Sequence, residues 1–399
     1  MTGHDLNITI VLMARLQLLL IPVFSILVLS LVVTGCSDTA PPISPAFPED
    51  KPELDTPATF TLDSAAEVFQ GEKVNIDSDI MDAIFENCEV WITGDDVTVA
   101  RTEFRNSQVF VAERQNVSFN KVIFRDLNQY EKSALNIYGS RGVSVRNCQF
   151  LNNYIGLGIH SSQAEVFESR FEKNNGHNAL VIGEGSSVAV RGNYFYASFP
   201  HVILIMNRED YPEAWVEISD NLISQTGEDA IDFEDYRGAS PSMVSNNVIT
   251  DTGWSAIIVE YNSWEADITI ERNWIENTGI EWKFPTHRLQ PDSFQFGWGH
   301  GILVEDSSSV SISENRIVSA AENGIEVKNS QDITIEGNRI SCSQTGIGVH
   351  QYEEYSLHRS HSPVMQKNAG GSQVSAVNNV IDRASKDYDV DRMSELVKQ

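Results

Sequence analysis

The chain has 399 residues, 41% of them hydrophobic and 21% charged, which is enough apolar material for a large core. Its formal charge of -28 excludes nucleic acid as a partner, because nothing could neutralise a run of phosphates. The same charge means that an acidic polysaccharide would be held through bound cations or a local basic patch.

At the N-terminus Arg15 precedes an apolar run from Leu16 to Val33, followed by Thr34, Gly35 and Cys36. A small-residue site ending in Cys directly after an apolar run resembles the signal of bacterial lipoproteins. That resemblance implies a removed signal peptide over 1–35 and a lipid on Cys36, which becomes the first mature residue. It also implies attachment to a membrane in the bacterial cell envelope, at the outer membrane or cell surface. A run of about 18 apolar residues could equally just span a bilayer as an anchor. Residues 36–58 are rich in Pro, Ser, Thr and Asp, a composition that predicts a disordered or extended tether. Cys88, Cys148 and Cys342 lack metal-ligand spacing and read as buried thiols.

Residues 59–90 read as a partly helical N-terminal cap, with Ser78 as the N-cap of a helix over 78–88. From Trp91 the pattern alternates with period two. Aligning its strands yields a ladder through Thr102, Val122, Cys148, Ser169, Asn193, Asn221, Asn247, Asn273, Asn315, Asn338 and Asn379. The clearest two copies begin at Gly301 and Gly324, and their asparagines, Asn315 and Asn338, lie 23 residues apart. A β pattern repeated at such a period predicts a solenoid over 91–385. Asn at each rung suits a turn where side-chain amides bond from coil to coil. Residues 386–399 read as a C-terminal tail with a short helix behind Asp389.

The stacked G-I-x-V … I-x-I-x-x-N-x-I coils resemble the pectin-lyase-like right-handed parallel β-helix. The resemblance implies an all-β, single-stranded solenoid of about eleven coils, each with three strands. The G-I-x-V strand is the first, the I-x-I-x-x-N strand the second, and the piece after Asn the third. In enzymes of this fold the outer face of the first strand and the loop before it form the substrate groove. Two insertions interrupt the period here, over 276–300 and 351–373. The former carries Trp282, Lys283, Arg288 and Trp298.

Alternation fixes which first-strand residues face outward. With coils about 4.8 Å apart, Glu234, Glu260 and Glu305 form a ladder of carboxylates, with Asp232 beside it and Glu326 and Lys328 at its end. Like charges opposite each other destabilise a sheet. The ladder therefore predicts a cation such as Ca²⁺ on Glu234, Glu260 and Glu305, a retained proton, or plain solvation. Asp229 and His300, each just before a first strand, sit in G-E-D-A-I-D and G-W-G-H-G-I. These resemble the Asp-Asp and Gly-His-Gly motifs of polygalacturonase-type hydrolases, whose other motifs are missing. Trp254, Tyr261 and Trp264 flank the Glu260 strand and, with Trp282, Arg288 and Trp298, suit sugar stacking and binding.

Two functions fit these residues. One is a polysaccharide lyase or glycoside hydrolase. Its catalytic candidates are Asp232, Glu234, Glu260, Glu305, His300 and Lys328, with Asp229 and the aromatic residues holding the substrate. Carboxyls about 5 to 5.5 Å apart suit retaining hydrolysis, and a lyase would use a base such as Lys328 or His300. The other is a non-catalytic envelope β-helix that binds glycan or protein. Copper handling is a third idea, although His160 and His350 stand far apart along the solenoid.

Overall fold

The computed structural model describes residues 50–62, 67–208, 211–262, 266–280, 299–341, 343–351, 372–391 and 394–398. Its 39 strands, β1–β39, fall into three sheets of 13, and every third strand in the chain joins the same sheet. All neighbours run parallel, as in Glu234↔Glu260↔Glu305 of the first sheet and Ile312↔Ile335 of the second. The chain is thus a three-sided solenoid, and the side chains at alternate positions of all three sheets fill one continuous core.

Coil-on-coil stacking shapes that core. In the third sheet Phe69, Phe85, Phe104, Phe124, Phe150, Phe171 and Phe195 stack with centroids 4.5–5.2 Å apart. Ile223, Ile249, Ile275, Ile317, Ile340 and Ile381 continue the column in register. This stack overturns the helix expected over 78–88. Ile80–Met81 and Ala83–Glu86 are strands β3 and β4, and Asp82 turns between them at φ 55°. Phe85 gains a ring on each side, which no single helix turn could offer it. The tail departs from expectation in the same way: Lys386–Val390 and Glu395–Lys398 are strands β38 and β39 of the last coil.

The corners are held by side chains. At the corner between second and third sheets the backbone N–H of each of Asn193, Asn221, Asn247, Asn273 and Asn315 donates to Oδ1 of the next Asn at 2.9–3.0 Å. The residue before each rung takes a left-handed conformation, as at Asp220, Asn246 and Arg272. Ser140 and Ser162, then Asn262, Ser307, Ser330 and Ser372, bridge the corner between first and second sheets. At the remaining corner Asn153 and Asn174 do the same.

Part of the expected tether is ordered. Residues 50–62 run without regular structure along the outside of the third sheet. Lys51 pairs with Glu276 at 3.2 Å, Pro57 O accepts from Arg170, and Phe60 O accepts from Gln149.

Asn247→Ala would leave the Asn221 N–H and amide without their acceptor and Ile218 O without its donor. Each such buried orphan costs about 1–3 kcal/mol. Urea denaturation should show a loss of at least about 3 kcal/mol, against less than about 0.5 kcal/mol for Ala at exposed Asn120. Equal losses at the two positions would contradict the ladder's role.

Candidate functional site on the first sheet

Six consecutive first-sheet strands build the site: β20 (His201–Met206), β23 (Ile231–Glu234), β26 (Ile257–Glu260), β29 (Ile302–Glu305), β32 (Asn323–Lys328) and β35 (Thr345–His350). Their inward residues are apolar, so the outward ones are free to vary. Two outward columns result. One reads Leu204, Asp232, Ile258, Leu303, Glu326, Gly348; the other reads Met206, Glu234, Glu260, Glu305, Lys328, His350. The carboxylate ladder read from alternation is therefore present, on one wall and in register.

The columns are more buried than an acidic solvent-facing surface. Asp232, Glu305, Glu326 and Lys328 are each 1–4% exposed, while Glu234 and Glu260 are half-buried. Removing charge from water is costly unless it is paired or neutralised, and the ionisation states follow. Burial, helped by Asp229, Glu234 and Glu228 and opposed by His201, pushes Asp232 up to about 8. Burial, with Asp306 and Glu326 against Lys328, pushes Glu305 up to about 7. Burial lowers Lys328, against the pull of Glu305, Glu326 and Glu322.

Within this face the side chains form two groups. Upstream, His201 Nδ1 lies 3.4 Å from Asp229 and 3.7 Å from Asp232, and its Nε2 lies 3.6 Å from Glu228. Burial alone would lower His201, yet the adjacent carboxyls of Asp229, Asp232 and Glu228 outweigh it and raise it to about 10. Arg208 pairs with Glu234 at 3.0 Å and Asp235 at 3.4 Å. Downstream, His350 Nδ1 is 2.6 Å from Glu326, whose other oxygen accepts from the Asn323 amide. His300 Nε2 sits 3.2 Å from Glu322, and burial together with Lys328 and His350 holds its pKa well below the usual range.

Asp232, Glu234 and Glu260 each offer a carboxylate oxygen within 4.8 Å of the others, and among the described residues they are the group close enough to share one ion. Asp232 thus joins the ladder's first two members where Glu305 was expected; Glu305 instead has Lys328 as its register neighbour. Asp232 Oδ1 is buried without a hydrogen-bond partner. An all-oxygen set with a buried orphan atom fits a hard cation such as Ca²⁺.

The other predicted residues are placed as follows. Asp229 and His300 stand at the corner before β23 and β29, two coils apart; Asp229 accepts from Ser255 N–H, and His300 Nδ1 from Asn323 N–H. Trp254 and Tyr261 flank β26, both half-buried, Tyr261 at φ 58°. Cys36, Trp264, Trp282, Arg288 and Trp298 lie outside the described residues. Sequence reasoning missed His201, Glu228 and Arg208. Strict alternation assigns His201 to the inward set with Ile203 and Ile205, but at the corner its ring meets the carboxyls of the next coil.

These carboxyls hold protons more tightly folded than unfolded. Their stability contribution is complete below the ordinary carboxyl range of about 4. It is lost as pH rises through about 7 for Glu228 and Glu305 and about 8 for Asp232. His160, His177 and His300, lowered mainly by burial, act oppositely, but below the ordinary histidine range of about 6.5, and Lys328, also lowered by burial, opposes the loss as one group against the three carboxyls. The melting temperature in chelator should therefore fall from pH 6.5 to 8.5, and Glu305→Gln should flatten part of that fall. A rise over the same interval would refute these ionisation states.

Residues 69–214 match the family model described as "Right handed beta helix region", and residues 217–359 that described as "Periplasmic copper-binding protein (NosD)". No curated protein matches the chain. Among solved structures the chain is similar to the periplasmic alginate epimerase AlgG, at 13% identity and a TM-score of 0.55, over 79% of this chain and 77% of that one. It is also similar to a PL6 alginate lyase in complex with a trisaccharide, at 15% identity and a TM-score of 0.49, over 84% and 81%. At these identities the likeness is one of fold. Three thirteen-stranded parallel sheets and the matched repeat model make this chain a right-handed parallel β-helix protein.

Proposed function

We propose that this protein works outside the cytoplasm, lipid-anchored through Cys36, and that the first-sheet face from β20 to β32 binds an acidic polysaccharide and cleaves it. One observation carries the reading: a column of ionisable groups is buried on consecutive coils where the fold needs no charge. Folding stability does not account for such an arrangement, and perturbed ionisation of clustered groups is characteristic of functional sites. The match to a family model described as periplasmic and the likeness to a periplasmic alginate epimerase support both the location and the substrate class. The signal resemblance over 16–36 supports the anchor.

Asp232, Glu234 and Glu260 would hold the cation, which supplies positive charge where a sugar carboxylate must settle on an acidic wall. Lys328, its pKa lowered by burial, stands two coils beyond Glu260 and has the character of a general base for abstracting the proton next to that carboxylate. Glu305, which keeps its proton near neutrality, can supply it to the departing sugar oxygen. The three oxygen ligands do not suit copper, which favours imidazole and thiolate. The second reading is a non-catalytic glycan binder; the burial of Glu305 and Lys328 favours it, since a reacting group must touch its substrate.

The test is retention and product formation on uronic polysaccharides with Ca²⁺ or with chelator. Binding should need Ca²⁺ and weaken at least tenfold in Glu260→Gln. Unsaturated product should vanish in Lys328→Met while binding persists. Binding without product in the unmodified protein selects the second reading, and binding indifferent to both Ca²⁺ and Glu260→Gln overturns the site.

A further inference from the structure

A second concavity lies away from these columns, at the corner where the first sheet turns into the second. Its volume is about 640 Å³, and Arg141, Ser161, Gln163, Ser187, Tyr211 and Trp215 line it. That volume falls within the range of small-ligand sites, roughly 300–1,000 Å³. One wall is the segment from Tyr211 to Trp215, which is fastened from beneath. Ser187 and Ser240 donate to the carbonyls of Glu213 and Pro212, buried Tyr236 donates to Ala214 O at 3.0 Å, and Val188 N–H donates to Trp215 O at 3.0 Å. The Tyr211 ring lies over Gly185, where a Cβ would come within 3.1 Å of it and where the backbone is left-handed.

The fastening uses the backbone of this segment, and Tyr211 and Trp215 are among the residues that line the space. On the facing coils the side chains of Arg141, Gln163 and Ser161 make no hydrogen bond or ion pair with the described residues. By contrast Arg101, Arg105, Arg125, Arg146, Arg170, Arg191 and Arg208 each pair with a carboxylate. The cavity therefore combines two aromatic side chains with a planar fork of donors, an amide and a hydroxyl. Glu213 at the rim adds a carboxylate acceptor, so the local charge cancels and no ionic ligand is required.

We infer that this corner cavity is a separate binding site for a pyranose ring, with Tyr211 and Trp215 covering the apolar C–H face and Arg141, Gln163, Ser161 and Glu213 bonding the hydroxyls. Aromatic side chains join apolar area to a low ordering cost, and Arg and Gln offer the paired hydrogen bonds that neighbouring hydroxyls need. The site does not depend on a cation or on cleavage.

The experiment is titration of the full chain in chelator with neutral gluco- and manno-hexasaccharides, followed by tryptophan fluorescence and calorimetry. At least one series should bind. Arg141→Ala, at an exposed position that leaves the fold intact, and Trp215→Ala should each weaken it at least tenfold. Neutral sugars and chelator keep the first-sheet cation site out of the readout, so failure of the first-sheet reading would not mimic failure here. No binding by any series, or binding unchanged in Arg141→Ala, overturns the inference.

Discussion

Everything in this molecule rests on coil-to-coil registration. A polar backbone group at a buried corner must find a partner, and here the partner is the side chain of the next coil. The Asn193-to-Asn379 column accepts one backbone N–H per coil and returns an amide proton to a carbonyl behind it, as Asn247 does to Ile218 O. A coil out of step by one residue would break such bonds at three corners at once. The same lock sets residues distant in sequence side by side, so Glu260 meets Glu305 across a 45-residue gap. The site is a product of the scaffold's periodicity and needs no special loop to assemble its carboxylates.

Upon that frame the first sheet departs from what stability favours. Upstream strands show Val181 and Leu204 on the column that later holds Asp232 and Glu326. An apolar continuation was structurally available, since Ile258 and Leu303 occupy the intervening rungs. The acids are accommodated by three means together: His201, whose pKa the surrounding carboxyls raise, a buried lysine, and the raised pKa of Asp232 and Glu305. Each means is local, and together they keep a row of like charges from pushing the coils apart.

How much of this was legible depended on the kind of signal. The Asn ladder and the Glu234–Glu260–Glu305 register could be read, because period two and the repeat length fix inward and outward faces. The strands at Ile80–Met81 and Ala83–Glu86 could not, because local spacing suits a helix and the deciding contact is Phe85 between Phe69 and Phe104. His201 escaped because parity loses meaning at a corner. Arg208 escaped because it follows its strand, where alternation says nothing, and its partner Glu234 is 26 residues away. Corner serines such as Ser140 and Ser307 carry no compositional mark among many exposed serines, yet they serve the same role as the asparagines.

The segment from Lys51 to Phe60 runs along the third sheet against the direction in which the coils advance, from the strand of Glu276 back to that of Gln149. Tension applied ahead of residue 50 would therefore load the flank of the rod beside Glu276, far from its first edge strand at Glu67–Gln70. Residues 51–60 thus clamp coils that lie far apart in sequence, from Gln149 to Glu276, before the chain enters its own first strand.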